Sequence, residues 1–302
     1  MNVLVTGSHG LIGSSLTPYL TALGHKVRRL LRSSADSSAD SKPDDIVWDQ
    51  RRLLTPEELA GIDAIIHLAG ENIASGRWDE NKKKAIRDSR LTSTKLLCES
   101  ICRLDNPPQV MLCASAIGYY GDGGTKELEE TALAGNSFLS QLCQDWEKTT
   151  ATVQEHKVRV VNLRIGVVLS PKGGALARML MPFLFGAGGN IGNGKQYMSW
   201  IAIDDVVNAI QHCLANSTLS GPVNLVAPKP VTNAEFTKAM GRVLNRPTFF
   251  PVPEFAARLA FGEMADELLL ASVRVKPTKL INSGYQFLYP DIDSSLRHVL
   301  GK

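Results

Sequence analysis

Apolar positions along the first half of the chain fall into two alternating patterns. Short continuous apolar runs occur at residues 3–5, 64–66 and 110–114, and such runs are typical of strands buried on both faces of a parallel sheet. Between them, as over residues 78–103, apolar side chains recur at helical spacing. Strands that alternate with helices up to about residue 170 predict an α/β fold with a Rossmann-type, doubly wound parallel sheet.

The same patterns divide the chain into a nucleotide-binding part and a smaller C-terminal substrate lobe. We assign residues 1–170 to a Rossmann domain whose sheet continues to about residue 230, and residues 171–302 to the lobe. Residues 186–194 hold too many glycines for regular structure, which predicts either a loop lining a substrate crevice or a flexible connection. Residues 56–59 predict the start of a short helix.

Composition excludes several classes of function. The chain has 302 residues, of which 44% are hydrophobic, and its net charge of +3 is too small to indicate nucleic acid or a membrane surface as a partner. We find no apolar run of the length of about 20 residues that spans a bilayer. The five cysteines are scattered, which predicts neither a disulfide framework nor a metal site. We expect a cytoplasmic protein, monomeric or homodimeric, whose partner is a small-molecule substrate.

The segment between the first strand and the first helix carries the clearest chemical signal. Three glycines follow the strand at intervals of three residues, and a helical pattern begins directly after them. In such a unit the first glycine allows the turn, the second lets the backbone approach a pyrophosphate, and the third lets the helix pack on the strand. Free N–H groups at the helix start would hold the phosphate, although a purely structural turn is the alternative. The predicted pyrophosphate-binding residues are Gly7, Gly10, Leu11, Ile12 and Gly13.

The end of the second strand bears on the choice of cofactor. In a nucleotide-binding half this position faces the adenosine ribose, where a carboxylate selects NAD and an arginine accommodates the extra phosphate of NADP. Arg32 occupies it, and no carboxylate follows until Asp36, so NADP (NADPH) is predicted and NAD is less favoured. Residues 33–45 predict a mobile surface loop. Asp49 follows a further short strand and either reaches an adenine amino group or caps the next turn.

A buried strand ends at Leu68, Ala69 and Gly70, and these small residues would let a dinucleotide lie against the backbone. His67, within the same strand, has only apolar neighbours in sequence. We therefore interpret it as a hydrogen-bonded core residue rather than a catalyst.

Several motifs together resemble the extended branch of the short-chain dehydrogenase/reductase superfamily. The closer resemblance is to the YfcH-like proteins of the NAD(P)-dependent epimerase/dehydratase family, an atypical branch with a family-specific, DUF1731-type region, here from about residue 247. This resemblance covers essentially the whole chain. The motifs that carry it include Thr6-Gly7-x-x-Gly10-x-x-Gly13, Leu68-Ala69-Gly70, Ser115-Ala116-x-x-Tyr119-Tyr120-Gly121 and Arg164-x-Gly166. By resemblance, the cofactor contacts also include Arg90, Ser115 and Gly166.

The chain departs from the superfamily in its catalytic residues. The usual chemistry needs a Tyr and a Lys four residues apart on one helix face, because the lysine lowers the pKa of the tyrosine. None of the six tyrosines has a lysine four residues later, and residues 137–147 contain neither residue type. The hydroxyl expected four residues before Tyr120 is also missing, since Ala116 stands there and Ser115 lies one step away.

Two hypotheses follow from a cofactor site without the usual dyad. The first is an NADP-binding epimerase/dehydratase-like or reductase-like enzyme, acting on a nucleotide-sugar or a carbonyl substrate. Tyr120 and Ser115 are its candidate catalytic residues, followed by Tyr119 and Glu71, and each has a structural role as the alternative. The second hypothesis is a non-enzymatic, NADP-dependent binding or regulatory protein.

Overall fold

A seven-stranded parallel sheet forms the centre of the molecule. The structure is a computed structural model, and it describes residues 1–32 and 44–302. The sheet order is β3-β2-β1-β4-β5-β6-β7, with every neighbouring pair parallel. The strands are β1 (Asn2–Thr6), β2 (Lys26–Leu31), β3 (Ile46–Val47), β4 (Ala64–His67), β5 (Val110–Ala116), β6 (Arg159–Ile165) and β7 (Gly221–Leu225). This order confirms the predicted Rossmann-type sheet.

Helices cover both faces of the sheet and build the C-terminal lobe. Those of the first half are α1 (Leu11–Ala22), α2 (Glu80–Ile101), α3 (Phe138–Thr149) and α4 (Ala151–Gln154). Those of the second half are α5 (Gly174–Leu184), α6 (Ile203–Ala215), α7 (Asn233–Leu244), α8 (Glu254–Phe261), α9 (Glu263–Ala265), α10 (Thr278–Asn282) and α11 (Ile292–Val299). A 3₁₀ turn covers Ile117–Tyr120, and a π-helical turn covers Asp266–Leu270. Short strand pairs join Val167–Leu169 to Trp200–Ala202, Tyr197–Met198 to Val231–Thr232, and Glu127–Leu128 to Arg274–Val275.

Side chains of the central strands alternate between two separate cores. Val3 and Val5 of β1 are buried on one face against Leu16 and Leu20 of α1, whereas Leu4 is buried in the core of the opposite face. Burying a leucine side chain contributes about 1.5–3 kcal/mol. The apolar run therefore stabilises the strand from both sides, as its lack of polar positions predicts.

Strand order fixes the place of the functional site. The chain reverses its direction of winding between β1 and β4, where Thr6 pairs with His67 at the strands' carboxyl ends. In open α/β sheets a ligand binds in the crevice outside such a switch point. The glycine turn after β1 and the residues after β4 both lie at this crevice.

Two predictions about the segment after β2 need correction. Residues 56–60 form turns rather than a helix. Asp45, at the end of the predicted mobile surface loop, is instead buried, since its side chain is 3% exposed and forms a two-pronged ion pair with Arg29. Residues 33–43 of that loop, including Asp36, lie outside the described residues.

The C-terminal segment is fastened to the sheet domain by one buried carboxylate. Asp205 of α6 is fully buried and accepts hydrogen bonds from the Tyr285 hydroxyl and from the N–H groups of Leu288 and Tyr289. A buried charge is tolerated where hydrogen bonds satisfy it. Asp205 therefore holds the segment before α11 against α6.

His67 is a buried, hydrogen-bonded residue, as predicted. Its ring lies between two hydroxyls, with Thr6 Oγ1 2.8 Å from Nδ1 and Thr94 Oγ1 3.0 Å from Nε2. Thr6 Oγ1 already accepts from the N–H groups of Leu68 and Ala69, so its hydrogen points to Nδ1 and the ring N–H donates to Thr94. Burial lowers the pKa of His67 to about 4.

This low pKa predicts a loss of stability in acid. The unfolded chain binds a proton near the ordinary pKa of 6.5, and the folded chain only near 4. The free energy of unfolding should therefore fall as the pH drops through this window, by about 3 kcal/mol from this group. Urea unfolding across the window should show a shallower pH dependence for His67→Gln than for the wild type. The exposed control His156→Gln should keep the wild-type slope, and equal slopes in all three proteins would contradict the assignment.

Candidate cofactor and substrate site

The turn after β1 has a shape that glycine alone fits. Gly7 has φ +67°, a conformation that side chains disfavour. A Cβ at Gly13 would lie 2.2 Å from the carbonyl oxygen of Gly7, and one at Gly10 would lie 3.2 Å from the same atom. The loop at Gly7 can contact the first turn of α1 this closely only with a glycine at position 13, as the spacing of the glycine motif predicts.

The N-terminus of α1 presents open hydrogen-bond donors. Gly10 is the N-cap and provides no side-chain acceptor, and the first turn, which starts with Leu11 and Ile12, contains no acidic residue. The Ser8 hydroxyl is buried in the turn and has no hydrogen-bond partner among the described residues. Unsatisfied donors beside a helix N-terminus match the oxygens of a phosphate. Ser8 was not predicted, because the Gly-x-x-Gly pattern accepts any residue at its position.

A cleft of about 390 Å³ lies over this turn, between the ends of β1, β2 and β4. It is lined by six of the residues predicted to bind the cofactor: Gly7, Gly10, Arg32, Leu68, Ala69 and Gly70. Ser8, His9 and Gln50 also line it and were not predicted. Turns between regular elements bring them there, and such positions leave no periodic signal in a sequence.

Two arginines flank the cleft. Arg32 is exposed at its rim and has no ion-pair partner within the described ranges. Arg90 of α2 lies beneath it, with its guanidinium carbon 3.2 Å from where a Cβ on Gly70 would be and 5.2 Å from the Trp146 ring centre. Burial lowers the pKa of Arg90. Glu71 accepts a hydrogen bond from Lys82 at 2.6 Å, and this contact lowers the pKa of its carboxyl group.

Seven predicted cofactor residues are not among those that line the cleft: Leu11, Ile12, Gly13, Asp49, Arg90, Ser115 and Gly166. Asp49 is exposed and accepts a hydrogen bond from the N–H of Arg51 at 2.9 Å, which is the turn-capping alternative. Gly166 follows β6, and a Cβ on it would lie 2.7 Å from both the Ser199 carbonyl oxygen and the Val226 side chain. Close packing thus explains this glycine locally. Contact of Asp49 or Gly166 with a cofactor stays a prediction.

Ser115 begins a chain of polar contacts at the carboxyl end of β5. Its hydroxyl donates to Glu147 Oε1 at 2.7 Å, and Arg164 donates from Nε and Nη2 to both oxygens of Glu147, each at 2.8 Å. The side chains of Arg164 and Glu147 are 3% and 12% exposed. The two hydrogen bonds and the opposite charges support each other, so they fix the position of the Glu147 carboxyl group beside the Ser115 hydroxyl.

Tyr120 belongs to the same chain of contacts. Its hydroxyl donates to Asn224 Oδ1 at 2.6 Å and accepts from Arg164 Nη1 at 3.0 Å. The residue is 4% exposed, and burial raises the pKa of its phenol to about 12. A tyrosine that acts as the catalytic acid and base needs a lowered pKa. The contacts of Tyr120 therefore favour a structural role, and its predicted catalytic role remains to be tested.

Helix α3 is the element on which the resemblance places the usual Tyr-Lys pair. The helix continues two residues past position 147, to Thr149, and so includes Lys148. Lys148 is exposed, and the residue four positions before it is Gln144. Among the described residues, Tyr and Lys thus form no pair at this spacing, and the side chains that reach Ser115 from α3 are those of Cys143 and Glu147.

A second cavity, of about 550 Å³, lies between the start of α3 and the C-terminal lobe. Gly118, three residues past Ser115, and Leu139 of α3 line its sheet side. Asn193 of the glycine-rich segment and Glu254 of α8 line its lobe side. Asn193 is the one residue of the 186–194 segment in this lining, and a substrate crevice there stays a prediction.

Two negative findings concern only the part of the chain that the structure describes. No group of three or more His, Cys, Asp or Glu side chains is placed to hold a metal ion there. None of the helices there combines the length and apolar character needed to cross a bilayer.

Comparison with known proteins agrees with this geometry. The NAD dependent epimerase/dehydratase family matches residues 3–225, and a domain of unknown function, DUF1731, matches residues 252–299. Epimerase family protein Mb2239 of Mycobacterium bovis is 45% identical over 295 residues, which cover 97% of this chain and 96% of that protein.

Solved structures give the same result. The crystal structure of human epimerase family protein SDR39U1 with NADPH matches with a TM-score of 0.89 and 34% identity, over 100% of both chains. The UDP-glucose 4-epimerase of Thermus thermophilus, in complex with NAD, matches with a TM-score of 0.75 and 20% identity, over 100% of this chain and 99% of that one, and shares the fold. With its Rossmann-type cofactor cleft and its C-terminal DUF1731 region, the chain belongs to the NAD dependent epimerase/dehydratase family.

Proposed function

We propose that this protein binds NADP(H) and catalyses a reductase-like or epimerase-like reaction on a small substrate. The observation that carries the proposal is the cleft over α1. It has a helix N-terminus without a side-chain cap, a Ser8 hydroxyl without a hydrogen-bond partner among the described residues, and Arg32 at the rim. These groups fit a dinucleotide with an additional phosphate. The match to a human relative whose crystal structure contains NADPH supports the same cofactor.

Arg32 should decide between the two nicotinamide cofactors. Arg32→Asp replaces the cation at the ribose position by a carboxylate, which repels a 2′-phosphate and accepts hydrogen bonds from a ribose diol. We expect NADPH to bind about 100-fold more weakly, with NADH changed by less than about threefold. Titration calorimetry of wild type and variant measures both affinities. Equal losses for the two cofactors would refute the role of Arg32, and Arg51→Asp, an exposed arginine that does not line the cleft, serves as the control.

Ser115 is the hydroxyl that we propose to face the substrate. It lies one residue before the end of β5, and Gly118 of the cavity lining follows three residues later. Its partner Glu147 is fixed by Arg164. The bound cofactor supplies or accepts the hydride. In a reduction, the Ser115 hydroxyl would give its proton to the substrate oxygen as the hydride reaches the carbonyl carbon. Glu147 would orient that hydroxyl and pass it a replacement proton from water, and in the oxidation direction the same proton would leave by the reverse route.

Turnover tests this role. Wild-type protein with NADPH should reduce at least one member of a panel of carbonyl compounds, followed by loss of absorbance and by product analysis. Ser115→Ala should lower kcat by about 100-fold or more while leaving the NADPH affinity within about threefold. A similar loss in Tyr120→Phe with an intact fold would instead assign the proton donor to Tyr120. Full activity of Ser115→Ala would contradict our assignment.

A non-enzymatic role is the second candidate, and one observation favours it. Tyr120, which precedes Gly121 shortly after β5, has its hydroxyl held between Asn224 and Arg164. The lysine of α3, Lys148, is exposed. A protein that senses or sequesters NADPH needs no proton donor. Tight NADPH binding without turnover on any member of the panel would support this role over catalysis.

A further inference from the structure

The charges around the 550 Å³ cavity point to the class of substrate. We infer that this cavity excludes phosphate-bearing molecules and accepts an uncharged or cationic substrate; the inference rests on the proposed function. Four carboxylates and two cations line the cavity, which gives it a formal charge of −2. The residues are Asp122, Glu254, Asp266, Glu267, Lys195 and Arg258.

The natural anion site of this cavity is already filled by the protein. The N-terminus of α3 opens into it, and such a terminus attracts phosphate through its free N–H groups. Here Glu267, from the π-helical turn of the lobe, accepts hydrogen bonds from the Ser137 hydroxyl and from the N–H groups of Phe138 and Leu139, each at 2.9 Å. An incoming phosphate would meet a carboxylate in the place where it should bind.

The arginine of the cavity is neutralised as well. Arg258 donates to Asp266 at 2.8 Å and lies 3.4 Å from a carboxylate oxygen of Glu254. Lys195 is then the one lining cation without an ion-pair partner among the described residues, and it is exposed. A diphosphate carries at least two negative charges and is usually held by several arginine or backbone donors. One solvated lysine does not replace them.

The carboxylates are also held in place by the fold. Asp122 Oδ1 accepts from the N–H of Gly124 at 3.0 Å and from that of Ser272 at 3.2 Å. Glu267 is fixed by its three donors on α3, so neither group turns away from the cavity without losing hydrogen bonds. The negative potential is therefore a fixed property of the substrate side. It favours a neutral or amine-bearing carbonyl compound or alcohol over a nucleotide-sugar.

The test compares UDP with uridine, which share a base and a ribose but differ by the diphosphate. Both are titrated calorimetrically into protein saturated with NADPH, so that the cofactor cleft is closed to them. We expect UDP to bind wild-type protein no more tightly than uridine does. Asp266→Asn/Glu267→Gln removes two negative charges and leaves Arg258 with the longer contact to Glu254. In this variant UDP should gain at least about tenfold while uridine stays unchanged. The exposed control Asp105→Asn/Glu155→Gln changes the net charge equally and should show no gain.

The outcomes separate this inference from the proposed function. Wild-type protein that binds UDP about tenfold or more tightly than uridine overturns the inference, because the cavity would then recognise a diphosphate. A double variant without any gain for UDP overturns it too. Failure to saturate with NADPH in the preceding titration would contradict the proposed function instead, and UDP and uridine would then be compared on the protein without cofactor.

Discussion

Gly13→Ala should strongly weaken the binding of NADPH while leaving the protein folded. The added Cβ would lie 2.2 Å from the Gly7 carbonyl oxygen and 2.7 Å from the Cα of Ser8, both backbone atoms that no side-chain rotation can remove. Relief requires the turn to move away from α1, which displaces the N–H groups that we propose to bind the pyrophosphate. We expect NADPH affinity to fall by about 100-fold or more, equivalent to about 3 kcal/mol.

Gly173→Ala is the matched control for this prediction. Gly173 has extended backbone, and a Cβ there would only touch the Leu11 side chain at 3.4 Å, an ordinary contact. Its NADPH affinity should stay within about threefold of wild type. Calorimetric titration measures both variants, and circular dichroism reports whether they are folded. Wild-type affinity in Gly13→Ala would show that the turn does not hold the pyrophosphate.

Removal of the Arg164 guanidinium should cause a large loss in the free energy of unfolding. Arg164→Met leaves the Glu147 carboxylate, which is 12% exposed, without its cation, and removes the hydrogen bonds to the Tyr120 hydroxyl and the Glu130 carbonyl. Breaking a buried ion pair on one side costs about 3–5 kcal/mol. The urea midpoint should fall accordingly at neutral pH. Glu147→Gln added to Arg164→Met should recover part of the loss, because no buried charge then remains unpaired.

An exposed pair of the same geometry provides the comparison. Arg242 also binds both oxygens of a carboxylate, that of Asp293, but these side chains are 55% and 39% exposed. Arg242→Met should cost no more than about 1 kcal/mol, because water replaces the lost contact. Losses of similar size in Arg164→Met and Arg242→Met would mean that burial does not set the energy of the Arg164–Glu147 pair.

Local pattern was enough to predict the sheet and the cofactor turn. Buried strands leave continuous apolar runs, and the turn requires glycine at Gly7 and Gly13 for steric reasons that act within a few residues. The strand after position 25 and the core role of His67 were also predicted, since each depends on nearby neighbours. The helix expected over residues 56–59 does not form, and turns occupy the segment instead. Propensity within so few residues is a weak guide to structure.

Contacts between distant segments could not be predicted in this way. Nothing near Asp45 in the sequence indicates its burial against Arg29, and nothing near Tyr120 shows that Arg164 and Asn224 enclose its hydroxyl. Glu267 lies 129 residues from Phe138 in the sequence, yet it caps the first turn of α3. Such pairs arise only when separate segments of the chain are packed together.

The sequence by itself determined the sheet, the glycine turn and the family, because period, sterics and motif spacing act along the chain. Tertiary structure alone decided which partners the hydroxyls of Ser115 and Tyr120 have, and gave the 550 Å³ cavity its negative formal charge. Accessibility and electrostatic potential are sums over side chains from many segments, so they exist only once those segments are packed together.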